Sequence, residues 1–231
     1  RASTQVHAVG FKKAQKKLNE YLARLSKVEQ SKFDSWDKDK QLAFLINAYN
    51  AYTIALILTE YPDIASIRDL GSFFSSPWKK EIAPLLGETR TLDEIEHELI
   101  RGTNQTTKTY NEPRIHFAVN CASVGCPALR EEAYTGNKLD EQLEAQTKRF
   151  LSDSARNKMS GDTLYLSKIF DWYSEDFEGK YGEWRDTSTL NEFILLYKDA
   201  MRLTEAQVSA LKNNTADIEY LNYDWALNVA Q

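Results

Sequence analysis

The residues best suited to chemistry lie together in one short run, Arg114–Pro127. It contains both cysteines of the chain, Cys121 and Cys126, and one of its three histidines, His116. A cysteine can act as a nucleophile or form a disulfide, and histidine is the side chain best suited to proton transfer near neutral pH. The role of the cysteines therefore decides whether the sequence predicts an enzyme.

Cys121 has neighbours that suit a nucleophile. The small residues Ala122 and Ser123 follow it, and Gly125 comes shortly after, so a turn is expected there. Such a turn would let a substrate reach the thiol and would place backbone N–H groups where an oxyanion can be received. A thiol needs a base to become a thiolate, so a histidine partner is required.

His116 is the nearest histidine in sequence, but the local pattern argues against a direct pair. Apolar residues alternate with other types from Ile115 to Asn120, which predicts a strand with one apolar face. His116 and Asn120 would share the other face, where Asn120 is a candidate for binding substrate. Extended chain would separate His116 from Cys121 by roughly 16 Å, so a direct pair requires the strand to end early.

His97 offers a second base, because residues distant in sequence often meet in the fold. Glu96 precedes it, but consecutive helical residues point about 100° apart and do not face each other. Two arrangements stay open. Cys121 pairs with His97 and an unassigned orienting group, or with His116 and Glu96 as the orienting carboxylate. In the non-catalytic alternative, both histidines hold helix to sheet through hydrogen bonds.

Cys126 has several alternatives of its own. It precedes Pro127 and could cap a short helix, whose dipole favours a thiolate. It could also form a disulfide with Cys121, especially in an exported protein, or both thiols could be buried and inert. A redox pair is a further option, although the spacing differs from Cys-x-x-Cys.

Polar residues in two apolar segments are weaker candidates. Asn47 and Asn50 lie three apart on one side of a predicted helix, where they either bind substrate or tie the helix to neighbouring backbone. The segment from Asp171 to Asp176 combines carboxylates with Trp172 and Tyr173. It could form a polar aromatic pocket, although aromatic residues at helical spacing are more often core.

Hydrophobic periodicity predicts a helix-rich chain. The second helix has apolar residues around much of its circumference, which indicates burial on several sides. Helices are expected at about Gly10–Lys27, Lys38–Tyr61, Thr91–Arg101 after a capping box, Leu139–Leu151, Leu190–Met201 and Glu205–Lys212. Besides the segment 115–120, strands are expected at Thr163–Leu166 and Ile218–Tyr223. The pattern predicts one α+β domain with a small antiparallel sheet.

Composition excludes several classes of protein. The 231 residues carry 29 basic and 34 acidic side chains, a net charge of −5 with no Lys/Arg block, so nucleic acid is not an expected partner. The apolar stretches fall short of the roughly 20 residues of a membrane span.

The chain starts at Arg1 without a signal-peptide pattern. We expect a periplasmic or secreted protein if a signal was removed, and a cytoplasmic one otherwise.

Metal and cofactor motifs are missing from the sequence. The two cysteines and three histidines lack a zinc-ligand spacing, so no metal site is expected. Phosphate-binding glycine loops and the Gly-x-Ser-x-Gly elbow are missing too, so no cofactor is expected. The expected partner is an unidentified substrate or protein.

Five segments together resemble the family called domain of unknown function 547. They occur in the family's order and are Leu42–Ala51, Leu92–His97 with Arg101, His116–Pro127, Ile169–Tyr173 and Tyr223–Asn228. The family has no established activity. Its bacterial members are often exported, and related plant domains are discussed as interaction modules. The resemblance also implies a distant relationship to papain-like cysteine enzymes, and it places Cys121, both histidines and Glu96 in recurring motifs.

Two functions therefore follow from the sequence. The leading one is a cysteine-dependent hydrolase or acyltransferase acting on an amide or ester, with Cys121 as nucleophile and a histidine as general base. The alternative is a non-catalytic binding or interaction domain in which Cys121–Cys126 is a structural disulfide. The expected organisation is an N-terminal helical segment, residues 1–37, packed on a domain of residues 38–231, with a papain-like fold as one implication of the resemblance.

Overall fold

The computed structural model describes residues 10, 14–71, 75–102, 108–180 and 182–228. Its α-helices are α1 Gln15–Leu25, α2 Gln30–Asp34, α3 Lys38–Glu60, α4 Leu139–Leu151, α5 Ile169–Trp172, α6 Ser174–Phe177, α7 Leu190–Leu196 and α8 Glu205–Lys212. Its strands are β1 Ala83–Leu85, β2 Glu88–Arg90, β3 Lys158–Ser160, β4 Thr163–Ser167 and β5 Asp217–Leu221. Short 3₁₀ helices cover Ile67–Leu70, Pro77–Lys79, Pro113–Phe117 and Gly136–Lys138. The expected helix-rich α+β domain is confirmed.

Helix α3 forms the centre of the larger hydrophobic cluster. It begins where the Asp37 side chain accepts a hydrogen bond from the Lys40 N–H at 2.8 Å. By length and composition it could cross a membrane, but 67% of its apolar window is buried inside the protein. That burial is what a core helix shows, so it gives no clear membrane span.

The predicted capping box is present, but the helix that follows it is unusual. The Thr91 N–H donates to Glu94 Oε2 at 2.6 Å, and the Glu94 N–H donates to Thr91 Oγ1 at 3.1 Å. Residues Glu94–Ile100 then form a π-helix. Such wide turns are rare and often occur at functional sites.

The predicted strand at 115–120 is wrong, because Pro113–Phe117 is a 3₁₀ helix. Pro113 suits a first helical turn, and the Glu112 carboxylate accepts the Arg114 N–H at 3.1 Å. Ile115 packs in the cluster around α3, whereas Phe117 packs in a second cluster. The alternation therefore reflects two apolar neighbours rather than one sheet face, and the extended-chain separation of His116 from Cys121 does not apply.

The sheets are small, as expected, and mostly antiparallel. Strand β1 pairs with β2, and β3 with β4, in antiparallel fashion, but β4 pairs with β5 in parallel. Strands β4 and β5 confirm the predictions for 163–166 and 218–223. Helices α4 and α8 have the predicted bounds, whereas α7 ends five residues before the expected Met201.

Two hydrophobic clusters share the core. The first surrounds α3 and includes Leu18 and Leu25 of α1, and the second gathers aromatic residues from α4 to α7. The boundary expected between residues 37 and 38 stays a prediction. The segment 113–122 contributes to both clusters, so the residues singled out for chemistry lie where the two clusters meet.

Candidate active site

One cavity of about 240 Å³ gathers most of the residues expected to do chemistry. Cys121, Cys126, His97, His116 and Glu96 all line it. Its other lining residues are Tyr49, Trp78, Asp93, Val119, Pro127, Ile169, Trp172, Tyr173, Tyr223 and Trp225. A largely aromatic cavity with a few converging polar groups is a usual form of ligand site.

The two cysteine sulfurs lie within bonding distance of each other, in the loop that follows the 3₁₀ helix. Cys126 is buried, and Cys121 is half-buried. The Cys121 N–H also donates to Cys126 Sγ at 3.0 Å. The pair therefore has the proximity of a disulfide.

Amide side chains explain the shape of the cysteine loop. Ala122 has a φ of 62°, a left-handed conformation that costs a non-glycine residue energy. Asn120 offsets that cost, because its Oδ1 accepts the Ala122 N–H at 2.8 Å and its Nδ2 donates to the Pro127 carbonyl at 2.7 Å. The Asn120 side chain thus ties the two ends of the loop together.

The C-terminal segment holds the other side of the loop. The Val124 N–H donates to the Ala226 carbonyl and the Gly125 N–H to the Asp224 carbonyl, both at 2.8 Å. A Cβ atom on Gly125 would lie 2.9 Å from the Tyr223 ring, so only glycine lets this ring pack on the loop. The packing brings the Tyr223 hydroxyl to 3.2 Å from Cys121 Sγ.

His116 is fully buried and paired with a carboxylate. Its Nε2 lies 2.7 Å from Asp176 Oδ2 on α6, and its ring stacks on Tyr173 with centroids 4.0 Å apart. Burial lowers the pKa of His116, and the opposing effect of Asp176 is smaller. The imidazole is therefore held in its neutral form at neutral pH.

Asp176 receives three cationic or hydrogen-bonding partners. Besides His116, it accepts Arg101 Nε at 2.7 Å and the Lys108 ammonium. Burial alone would raise the pKa of Asp176, but the hydrogen bonds and charges of His116 and Arg101 outweigh it and lower that pKa. The carboxylate therefore stays ionised and acts only as an acceptor.

The neutral imidazole of His116 and the ionised carboxylate of Asp176 together determine which tautomer His116 adopts. An ionised carboxylate requires a hydrogen on Nε2, so Nδ1 of the neutral ring carries the lone pair. Among the described residues, Nδ1 of His116 is buried without a hydrogen-bond partner. His116 lines the cavity, and a buried basic nitrogen without a hydrogen-bond partner is suited to take a proton from a neighbouring group.

His97 lies nearer to solvent, with 34% of its side chain exposed. Its Nδ1 is 3.0 Å from Arg101 Nη1, and its Nε2 is 3.9 Å from Asp93 Oδ1. Arg101 therefore connects His97 to Asp176. Of the two histidines, His116 is the one that a carboxylate contacts at 2.7 Å.

Glu96 contacts tyrosines instead of orienting either histidine. It accepts the Tyr173 hydroxyl at 2.7 Å, and Tyr49 is hydrogen-bonded to it as well. Burial, and then the Glu96 charge, raise the pKa of both tyrosines. Both hydroxyls are therefore protonated donors, and the Glu96 carboxylate that they contact belongs to a residue lining the cavity.

The three candidate substrate-binding amides all have protein partners. Asn47 makes two hydrogen bonds with the Tyr134 backbone, at 2.8 and 2.9 Å. Asn50 donates to the Ala118 carbonyl at 3.0 Å and accepts the Asn120 N–H at 2.8 Å. None of Asn47, Asn50 and Asn120 lines the cavity described above. Their contacts fix helix α3 against the cysteine loop and its surroundings.

Two residues of the site were not assigned these roles from the sequence. Asp176 lies 60 positions after His116, and Tyr223 lies 102 positions after Cys121. Asp176 belongs to the segment expected to form a polar aromatic pocket, and Tyr223 opens a recurring family motif. The sequence separations alone could not show that Asp176 contacts His116 or that Tyr223 contacts Cys121.

Within the described ranges, no group of three or more histidine, cysteine, aspartate or glutamate side chains is arranged to hold a metal ion. The acidic and histidine side chains of the cavity are instead paired with tyrosine, arginine or each other.

Residues 33–151 match the family described as protein of unknown function, DUF547. The matched region is just over half of the chain. This chain belongs to the DUF547 family. The match contains the π-helix and the cysteine loop, whereas Asp176 and Tyr223 lie beyond it. No curated protein and no solved structure matches the chain, so the papain-like relationship stays a prediction.

Proposed function

We propose that this protein is a cysteine-dependent hydrolase or acyltransferase acting on amide or ester bonds. Cys121, in its reduced form, is the nucleophile, His116 is the general base and Asp176 orients His116. The observations that carry the proposal concern His116: Nε2 is bound to Asp176, Nδ1 is buried without a hydrogen-bond partner, and His116 and Cys121 line the same cavity.

The two protein groups that carry the proposed proton and acyl transfers, Cys121 and His116, both line the cavity. His116 Nδ1 takes the Cys121 proton, and the thiolate attacks the carbonyl carbon of the substrate. The tetrahedral intermediate expels an amine or alcohol, which leaves with the proton from His116. Water or an acceptor alcohol or amine, deprotonated by His116, then attacks the thioester and releases the acyl product. The Cys121 thiol is regenerated when the proton returns to it.

The oxyanion donor in this proposal is the Tyr223 hydroxyl. Most N–H groups of the loop already donate to protein acceptors, including those of Ala122, Val124 and Gly125. Tyr223 remains protonated because burial raises its pKa, and its hydroxyl, which donates to Cys126 Sγ at 3.2 Å in the paired state, is also 3.2 Å from Cys121 Sγ. A neutral donor next to the attacking sulfur suits the charge that develops on the carbonyl oxygen.

The proposal requires a thiol, so a paired Cys121 must first be reduced. A dithiol reductant would supply the two electrons and two protons and would itself become a disulfide. We also propose that the protein is exported, because oxidising compartments favour a disulfide between Cys121 and Cys126. Activity would then depend on local reducing conditions.

An acyl-transfer assay tests the proposal directly. The dithiothreitol-reduced protein is freed of reductant and mixed with p-nitrophenyl acetate, and the acid-quenched protein is analysed by intact and peptide mass spectrometry. We expect a stoichiometric burst of p-nitrophenolate and an acetyl group on Cys121. The oxidised protein and Cys121→Ser should give neither, whereas Cys126→Ser should retain both. A burst that persists in Cys121→Ser contradicts the proposal, as does acetylation no faster than that of free cysteine.

The second candidate is a non-catalytic binding domain in which Cys121–Cys126 is a structural disulfide. The bonding distance between the two sulfurs favours it. It predicts no free thiol under denaturing, non-reducing conditions, a loss of stability on reduction and no acyl-enzyme. A stable reduced protein that forms the thioester excludes this candidate.

A further inference from the structure

The cavity has a wall of aromatic rings. Trp225 lies 5.6 Å from Trp172 and 5.7 Å from Trp78, measured between ring centroids, and Tyr223 lies within 5 Å of both Trp172 and Trp225. All four rings line the cavity. Aromatic faces carry negative charge density, and tryptophan attracts cations best.

Apart from His97, the charged side chains on the cavity wall are acidic. Asp93 and Glu96 line it, and the neutral His116 adds no positive charge. Within the part of the chain that is described, no lysine or arginine lines the cavity. Arg68 lies 5.4 Å from the Trp225 ring centroid without lining the cavity, so one ring of this group already contacts a cation. The electrostatics of the cavity therefore favour a cationic ligand.

The hydrogen bonds that Glu96 already accepts indicate which type of cation the cavity would bind. The hydroxyls of Tyr49 and Tyr173 already donate to this carboxylate, and the residue is only 6% exposed. A primary ammonium would lose water without a full set of acceptors among indole and phenol rings. A quaternary ammonium has no N–H donors, so ring faces and a nearby carboxylate are sufficient.

We infer that the aromatic cavity binds a quaternary ammonium group, held by Trp172, Trp225 and Tyr223 and balanced by Glu96. For the substrate, this inference rests on the function proposed above. The substrate would carry the quaternary ammonium a short distance from the acyl group that it transfers to Cys121. As a statement about binding, the inference does not depend on that function.

Choline and its uncharged carbon isostere, 3,3-dimethylbutan-1-ol, test the inference as a matched pair. Binding to the oxidised wild-type protein is measured by calorimetry and by tryptophan fluorescence, so no turnover is involved. We expect saturable binding of choline, and binding of the isostere about tenfold weaker because the charge is missing. Ethanolamine, which has a primary ammonium, should also bind more weakly than choline.

Two variants locate the binding. Trp172 is 44% exposed, so Trp172→Leu is expected to fold and to weaken choline binding about tenfold. Glu96→Gln keeps the shape of the side chain and should weaken choline more than the isostere. Trp184→Phe, which removes a tryptophan outside the cavity, is the control and should leave the choline affinity unchanged.

The outcomes separate this inference from the proposed function. Equal affinity for choline and the isostere, no saturable choline binding, or tighter binding of ethanolamine than of choline overturns the inference. A Trp172→Leu variant with wild-type choline affinity also overturns it. If choline binds as expected while Cys121 forms no acyl-enzyme, the inference stands and the proposed function fails.

Discussion

His116 Nε2 lies 2.7 Å from Asp176 Oδ2, although the two residues belong to different helices and are 60 positions apart. The contact sets the chemistry of the other ring nitrogen, because a hydrogen on Nε2 leaves the lone pair on Nδ1. Arg101 and Lys108 hold the same carboxylate, so its position does not depend on the histidine alone. Asp176 is therefore a positioning residue in this account.

Replacing Asp176 by Asn should destabilise the protein by about 3 kcal/mol, because it removes the charge that balances buried cations. The free energy of unfolding in urea measures the loss. Asp171→Asn is the matched control: its carboxylate pairs with Lys168 at a partly exposed site, and the expected change is under about 1 kcal/mol. Equal effects of the two substitutions would contradict the structural role of Asp176.

The buried state of His116 predicts a pH dependence of stability. Its folded-state pKa is lowered by burial, so below an unfolded pKa of about 6.5 the unfolded chain binds more protons than the folded one. The contribution of His116 to the free energy of unfolding is therefore fully present above about pH 6.5 and decreases as the pH falls below that value. Asp176, whose pKa is also lowered, adds a further loss below about pH 4.

Urea unfolding at intervals between pH 7.5 and 5 would measure the His116 contribution. Wild-type protein should lose stability over this interval, and His116→Gln should show a smaller slope. A slope that is zero in the wild type, or unchanged in the variant, would contradict a buried neutral imidazole.

Tyr223→Phe should slow acylation of Cys121 about a hundredfold, because it removes the proposed oxyanion donor. The burst rate with p-nitrophenyl acetate reports the effect, and choline binding shows whether the aromatic ring is still in place. Tyr220→Phe removes a hydroxyl outside the cavity and should leave the burst rate unchanged. An undiminished rate in Tyr223→Phe would assign the oxyanion to other donors.

Gly125→Ala should destabilise the protein by about 2 kcal/mol, because the new Cβ would meet the Tyr223 ring at 2.9 Å. A double-mutant cycle identifies the cause. The penalty of Gly125→Ala should shrink in a Tyr223→Ala background, where the ring is missing. An equal penalty in both backgrounds would point to the backbone rather than to this contact.

Local sequence signals predicted the long elements well. Helix α3 keeps its apolar pattern over six turns, and the reciprocal bonds of Thr91 and Glu94 follow from side chains three residues apart. The segment Pro113–Phe117 was mistaken for a strand because a short run of alternating residues fits two structures. Its proline and the Glu112 cap favour a helical turn, and two separate clusters, rather than one sheet, bury its apolar residues.

The sequence identified the residues of the candidate site better than the contacts between them. Residue types and family motifs singled out Cys121, His97, His116 and Glu96, and the fold brings all four to one cavity. Sequence spacing could not show that Asp176 meets His116, or that Glu96 meets Tyr173, because both contacts join elements far apart in the chain. Only the packing of the two hydrophobic clusters determines those pairs.

The most direct test of the central claim is the alkylation rate of Cys121 by iodoacetamide at pH 7 in reduced Cys126→Ser, with and without His116→Gln. We predict that Cys121 reacts much faster than a model cysteine peptide, and that His116→Gln slows it about a hundredfold. Folding of both variants is verified by circular dichroism. A Cys121 that reacts like the model peptide, or at the same rate without His116, would contradict its role as an activated nucleophile.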